Sequence, residues 1–394
     1  MMHKLRCITC EKVYDPQKGR YTCDDCGPLL GTLEVLYDYE SIKLEKNFKK
    51  KASMFQFAEL LPVSSHTPLD DFIGGTPLMT FDHVFGYDKL MIKNDGMNLS
   101  ASYKDRASII AVNRAIEEGN DHIFCASTGN AASSLALLNA HTPIKTTIFV
   151  PSTIPSGKLA QLMVAGAHIF PIQASYDEVF DLSLEIGLKN GWYTRNSAIN
   201  PYLLEGKKTG AFEIIVQNNY ESPDYVFVGV GDGTIISGLC KGFKEFYDLG
   251  LIDNLPKVIG VQAENASTLK KVFEGHDLFV EDVQTIADSI SVGNPRDVVK
   301  ACKYLKENGG YFMSVTDEEI VKSIELLAST TGIFSEPAGA VTLAGLLKSD
   351  IPKDKSICLV ITGNGLKDTS NIKITEVKSY TKEEVYEYFR KEHS

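Results

Sequence analysis

No stretch of this 394-residue chain is apolar for long enough to cross a membrane. Its opening, Met1-Met2-His3-Lys4-Leu5-Arg6-Cys7, lacks the apolar core of a secretory signal. Basic charge is scarce as well: 40 lysines and arginines stand against 51 aspartates and glutamates, a formal net charge of −11. That balance argues against nucleic acid or an anionic membrane surface as the main partner. Internal repeats of fixed period and low-complexity tracts are absent, and so is the G-x-x-x-x-G-K-[ST] pattern of a nucleoside-triphosphate loop. The expectation is a soluble, cytoplasmic protein of two or three domains.

Cysteine is unevenly spent. Cys125, Cys240, Cys302 and Cys358 lie singly among apolar neighbours, as small core residues do. Cys7, Cys10, Cys23 and Cys26 instead form two C-x-x-C knuckles around a polar, turn-rich segment. Such a pair offers four thiolates to one tetrahedral zinc, and a segment this short needs a staple to fold. A closed four-sulfur shell has no open position, so the predicted zinc is structural.

Alternation of leucine, valine and tyrosine over 33–39 predicts a strand leading out of this ribbon, and the lysine-rich then apolar residues 41–60 predict a helix with a connecting loop. Gly74-Gly75-Thr76-Pro77 marks a turn before an extended segment, and 89–93 reads as a strand. After a helix ending near Glu118, strand and helix alternate: strands 122–125, 146–150, 168–172 and 192–194, with helices 131–140, 157–165 and 176–190. A second run has helices 206–219, 235–247, 296–307, 317–331 and 337–348 with strands 225–230, 258–263, 311–315 and 356–361, and Thr381-x-x-Glu384 caps a terminal helix. This pattern predicts an α/β fold of two doubly wound lobes with parallel sheets, changing over near 192–201. The expected domains are a ribbon with its leading strand (1–40), a large lobe (41–95 plus 201–394) and a small lobe (96–200).

Ligands of such sheets gather where strands end and helices begin. Lys104 follows the loop Asn98-Leu-Ser-Ala-Ser-Tyr103 and opens a helix, with Ser102 and Asp105 spaced as a capping box. At the positive end of a helix dipole a lysine loses its proton more readily, which suits it to Schiff-base chemistry with an aldehyde cofactor. Gly229-Val-Gly231-Asp232-Gly233-Thr234 ends a strand and could cradle a phosphate on its N–H groups. Its G-x-G-x-G spacing, with Glu264 as the nearest ribose acid, fits a dinucleotide poorly. Ser127-Thr128-Gly129-Asn130 and Thr362-Gly-Asn-Gly365 end two further strands with hydroxyls and amides.

Taken in order, Ser-Tyr-Lys104-Asp-Arg, Ser127-Thr-Gly-Asn130-Ala-Ala-Ser, the 229–234 glycine loop, Asn196-Ser, Asn200-Pro, Glu205-Gly-Lys-Lys-Thr-Gly, Phe334-Ser-Glu-Pro-Ala-Gly339 and Thr362-Gly-Asn-Gly-Leu-Lys-Asp368 resemble the threonine synthases. Those enzymes belong to the tryptophan-synthase-β-like, fold type II class of pyridoxal-phosphate enzymes. The resemblance runs from about residue 5 to 370 and extends to the four-cysteine ribbon. It implies that Lys104 carries pyridoxal 5′-phosphate as a Schiff base and moves protons at the substrate. It further implies that Gly229, Gly231, Asp232, Gly233 and Thr234 hold the cofactor phosphate, that Asn130 meets its 3′-oxygen and that Thr362 meets its pyridine nitrogen. Ser127, Thr128, Gly129 and Asn196 would bind substrate. The implied reaction converts O-phosphohomoserine and water to threonine and phosphate, in a homodimer.

Two positions depart from the resemblance. The family's usual threonine and arginine at the substrate phosphate are Ala131 and Leu203 here. That favours, as the alternative, an α,β-elimination or β-replacement enzyme acting on serine, threonine, diaminopropionate or phosphoserine. Lys207 or Lys208 could supply the missing charge, though not the fork of a guanidinium. Tyr103, in place of the family's common phenylalanine, could add a hydroxyl beside the Schiff base.

Overall fold

The computed structural model describes residues 3–369 and 378–392. Strands Tyr193–Thr194, His122–Ala126, Lys145–Pro151 and His168–Ile172 form, in that spatial order, a four-stranded parallel sheet. A six-stranded sheet takes Tyr311–Val315, Lys257–Ala263, Tyr225–Gly229, Ser356–Ile361, Tyr87–Asn94 and Leu78–Val84, parallel except for the last, an antiparallel edge. Helices cover both sheets, which is why their central strands are near-continuous apolar runs. The N-terminal ribbon is a separate antiparallel sheet of His3–Cys7, Val13–Tyr14, Thr22–Cys23 and Gly31–Tyr37.

Most predicted elements occur within a few residues of their expected bounds, and four differences have physical causes. The helix expected within 41–60 is a 3-10 helix, Met54–Leu60, preceded by irregular chain. Its buried residues, Met54, Phe57 and Leu60, recur every third position, the period of a 3-10 turn. The helix expected at 206 begins at Tyr202, because Pro201 supplies a preset φ at its N-cap. The Ser102/Asp105 capping box is absent: Lys104 itself is the N-cap of Asp105–Glu117, and Ser102 bridges Gly363 instead. The Asp105 carboxylate accepts from Ser100 N at 2.6 Å and from the Ser100 and Ser134 hydroxyls, so it braces the loop before the lysine rather than the helix after it. The Tyr103 hydroxyl donates to the Lys207 carbonyl at 2.6 Å and faces the next helix, not the lysine amine.

Helix Tyr202–Gln217 lies buried from Tyr202 to Val216 between Asp105–Glu117 and Thr234–Asp248. Gly206 and Gly210 permit this: a Cβ at Gly206 would stand 1.9 Å from Arg106 O, and one at Gly210 2.1 Å from the Tyr103 hydroxyl. On its other side Gly238 and Gly242 give Lys207 and Lys208 the same clearance. Gly210→Ala is accordingly expected to lower thermal stability by about 1–3 kcal/mol through overpacking, measured by denaturant unfolding.

Buried charge ties the pieces together. Lys208 pairs with Glu205 at 2.6 Å and Glu245 at 2.8 Å, and Lys241 pairs with Glu205 at 2.6 Å. The Tyr37 and Tyr39 hydroxyls donate to Glu205 and Glu245, and Lys241 donates to Val35 O. The ribbon's last strand is thereby fastened onto the two helices.

Candidate active site

The strand ends of both sheets face a cleft of about 500 Å³, lined by Lys104, Ser127–Ala131, Arg195, Asn196, Ser197, Asp232, Thr234 and the covering residues 281–283 and 288–296. Lys104 reaches it from the mouth of its helix and has no hydrogen-bond partner for its amine among the described residues. Burial, reinforced by the Arg195 charge, lowers its pKa, while Asp232 and Glu336 act the other way. An amine in that setting is more often neutral, and hence nucleophilic, than an exposed lysine.

Opposite it, strand Tyr225–Gly229 turns through Gly231 and Gly233 into helix Thr234–Asp248. Gly233 takes φ +92°, a left-handed conformation that an L side chain resists, and this swings the loop into the helix N-terminus. The N–H groups of Gly231, Asp232 and Gly233 make no hydrogen bond among the described residues. Together with the helix dipole they form a nest for an anion. Lys207, fully buried, donates to the Thr234 hydroxyl beside that nest. Its pKa is driven well below the ordinary lysine value by burial and by the Lys104 and Arg195 charges. Among the described residues it has no carboxylate in ion-pair contact.

Asp232 turns its carboxylate to Arg296 N at 3.2 Å, and burial raises its pKa against that bond and the Lys104 charge. Only the backbone of this residue is thus suited to an anion. Asn130 begins helix Asn130–Asn139, and its amide donates to Glu336 at 2.8 Å. The Thr362 hydroxyl lies 3.5 Å from the other Glu336 oxygen. A Cβ at Gly363 would come within 2.3 Å of that carboxylate, so glycine there admits it. Burial raises the Glu336 pKa, opposed by Asn130 and Lys367. Ser127 caps its own turn, accepting from Gly129 N at 3.2 Å, as an ordinary glycine turn would. Asn196 accepts from Ala126 N at 3.0 Å and donates to Ser183, stapling two strand ends to each other.

Of the expected site residues, Lys104, Ser127, Thr128, Gly129, Asn130, Asn196, Asp232 and Thr234 line one cleft. Gly229, Gly231 and Gly233 belong to the loop that carries Asp232 and Thr234, and Thr362 is connected to Asn130 through Glu336. Lys208 is excluded by its ion pairs, and Leu203 is part of an apolar core. Arg195 and Ser197 did not stand out in the sequence. Their only signal was their place beside Asn196.

The Cys7, Cys10, Cys23 and Cys26 sulfurs all lie within 4.8 Å of one another, with Cys10 and Cys23 3.6 Å apart. The Tyr14 hydroxyl is 3.1 Å from the Cys23 sulfur.

Residues 69–363 match the model of the family described as pyridoxal-phosphate dependent enzyme. The chain belongs to that family, and its α/β fold is that of the fold type II members. Within it, the chain is 41% identical over 379 residues to the threonine synthase of Methanocaldococcus jannaschii, with 92% of each chain covered. It is 38% identical to the threonine synthase of Methanosarcina acetivorans, with 94% of each covered. Among solved structures, the processed threonine deaminase isoform 2 of Solanum lycopersicum is similar in fold, with a TM-score of 0.67 at 23% identity over 81% of this chain and 91% of that one.

The residues present fit that cofactor. A half-buried amine of lowered pKa suits its aldehyde. The glycine nest, with the buried Lys207 amine beside it, suits its phosphate, whose charge would favour the protonated amine that burial and the neighbouring cations disfavour.

Proposed function

We propose that this chain is a threonine synthase, converting O-phosphohomoserine and water to threonine and inorganic phosphate. The observation that carries the reading is the convergence of a proton-poor lysine, an anion nest and a hydroxyl-rich helix N-terminus on one cleft, in a chain so similar to named threonine synthases over nearly its whole length. Bound pyridoxal phosphate supplies an electron sink that stabilises negative charge at substrate carbons. Lys104 would hold its aldehyde carbon and, once displaced by the substrate amine, take and return protons at the α- and β-carbons. The N–H groups of 231–234, the Thr234 hydroxyl and the Lys207 side chain, protonated against the dianion, would hold its phosphate. Asn130 would meet its 3′-oxygen and Thr362 its pyridine nitrogen, with Glu336 orienting both side chains. The substrate carboxylate would rest on Ser127, Thr128 and Gly129 at the N-terminus of helix Asn130–Asn139.

The test is release of phosphate and threonine from O-phosphohomoserine, set against ammonia and keto-acid release from serine, threonine, diaminopropionate and phosphoserine. Ala131 and Leu203 support the second reading, an elimination or replacement enzyme. Keto-acid release without phosphate release from O-phosphohomoserine would decide for it.

Lys207→Gln is expected to weaken cofactor binding by about 10-fold to 100-fold, the worth of a charge-assisted hydrogen bond. Titrating apoprotein with pyridoxal phosphate and reading visible absorbance measures it. An unchanged dissociation constant would remove Lys207 from the phosphate site.

The four-cysteine cluster supports a structural zinc, held by Cys7, Cys10, Cys23 and Cys26 at spacings suited to one tetrahedral ion. Cys23→Ser should cut bound zinc, read by metal analysis, and lower the melting temperature, because a segment this small is held by its metal. Zinc retained at full stoichiometry would count against the site. The division into ribbon (1–40), large lobe (41–95 plus 201–394) and small lobe (96–200) belongs to the same proposal, supported by the sheet to which each strand belongs.

A further inference from the structure

Arg195 ends strand Tyr193–Thr194, where its N–H donates to Phe124 O at 2.7 Å and its side chain turns toward the cleft. The side chain is 1% exposed, one of the largest fully buried in the molecule. Its guanidinium donates to the Ser108 hydroxyl at 3.0 Å, the Ser197 hydroxyl at 2.6 Å and Lys104 O at 3.2 Å. All these acceptors are neutral. No carboxylate forms an ion pair with Arg195 among the described residues, whereas the other fully buried arginine, Arg106, is held by two. Three bonds leave one N–H on each terminal nitrogen, a fork matched to two oxygens of one anion.

Burying an unpaired charge is costly, and a site that does so is complete only when an anion enters. The anions to be placed are the cofactor phosphate, the substrate carboxylate and the substrate phosphate. The glycine nest with Lys207 is suited to the first. The 127–130 turn at a helix N-terminus is suited to the second. Arg195 with Ser197 is the group left over, because Arg296, which also lines the cleft, is already turned to Asp177 at 3.4 Å and Asp181 at 3.3 Å. It stands next to the backbone of Lys104 and lines the same cleft as that lysine.

We infer that Arg195, assisted by the Ser197 hydroxyl, reads the phosphate of the substrate and so sets the preference for a phosphorylated amino acid. This rests on the reading of the chain as a phosphate-releasing enzyme. It accounts for the apolar Leu203 and small Ala131: the guanidinium enters from a strand end rather than from the helix that carries residue 203.

The test compares the holoenzyme with Arg195→Gln and Arg195→Lys, after circular dichroism has shown which variants fold. Arg195→Gln should raise KM for O-phosphohomoserine about 100-fold and abolish competition by inorganic phosphate. Its affinity for L-threonine, which carries the carboxylate but no phosphate, should stay within about 3-fold when read from the cofactor absorbance. Arg195→Lys, which keeps the charge without the fork, should recover part of the loss and carries the test if the glutamine variant does not fold. Equal weakening of threonine and O-phosphohomoserine would overturn the assignment in favour of a carboxylate or packing role, as would undiminished competition by phosphate. If the parent enzyme releases no phosphate from O-phosphohomoserine, the functional reading fails by itself. Binding of inorganic phosphate to parent and Arg195→Gln then still decides whether Arg195 is a phosphate site.

Discussion

Lys104→Ala is expected to cost about 1,000-fold or more in turnover, the loss associated with removing a covalent anchor and proton carrier together. Reduction of the parent holoenzyme with borohydride should fix the cofactor to the peptide containing Lys104, and the variant should take no label. Stability should change little, since the amine makes no hydrogen bond among the described residues and burial with the neighbouring Arg195 charge lowers its pKa. Trapping of the label on Lys207, a buried lysine of lowered pKa without a carboxylate partner among the described residues, would reassign the chemistry. The geometry speaks against that outcome, because Lys207 is turned to the Thr234 hydroxyl at the nest.

Arg106→Met should have the largest effect on the fold. Arg106 donates to both oxygens of Asp95, at 2.6 and 2.9 Å, and to both of Glu213, at 2.6 and 2.8 Å. Lys93 adds a further bond to Glu213 at 2.6 Å, and all four side chains are buried. Removing the guanidinium leaves Asp95 without a cationic partner, at an expected cost of about 3–5 kcal/mol, measured from urea unfolding of the holoenzyme at neutral pH. Burial by itself would raise the Glu213 pKa, yet Arg106 and Lys93 pull it down to about 2. A carboxylate depressed in the folded state contributes stability above its unfolded pKa, and that contribution is lost as pH falls through the folded value. The gap between parent and variant should therefore narrow from roughly pH 4.5 toward about pH 2. A loss below about 1 kcal/mol at pH 7 would mean that the pair is replaceable by packing alone.

This cluster also explains where Lys104 stands. Arg106 is two residues on from the lysine, and its carboxylate partners belong to the turn that follows strand Tyr87–Asn94 and to helix Tyr202–Gln217. The lysine is thus fixed to the large sheet's framework although its helix packs toward the small sheet. Among the described residues, salt bridges span the cleft between the same parts: Lys158 to Asp288 at 2.6 Å, and Arg296 to Asp177 at 3.4 Å and Asp181 at 3.3 Å.

Much of the fold was legible because its signals are local. Alternation of apolar strands with amphipathic helices announced the parallel sheets, and helix Asp317–Thr331 and strand Ser356–Ile361 have the expected bounds. The capping box at Thr381 and Glu384 is present, with both bonds formed. The box read at Ser102 and Asp105 had the same spacing but is absent, because Ser100 and Ser134 claim the Asp105 carboxylate. Sequence spacing shows that a cap is possible. It cannot show which donor reaches the carboxylate first.

The amino-acid order by itself determined the parallel architecture, the cysteine knuckles, the glycine loop opening a helix and the lysine at a helix mouth, since each depends on residues close together in the chain. Tertiary structure alone decided which charges are neutralised. Lys207 and Lys208 are adjacent in the sequence, yet Lys208 is consumed by Glu205 and Glu245 while Lys207 is left beside an anion nest. Arg106 and Arg195 are both buried, yet only Arg106 has carboxylates. Pairing in a low-dielectric interior depends on side chains brought together from distant parts of the chain, and the order of residues does not disclose those distances.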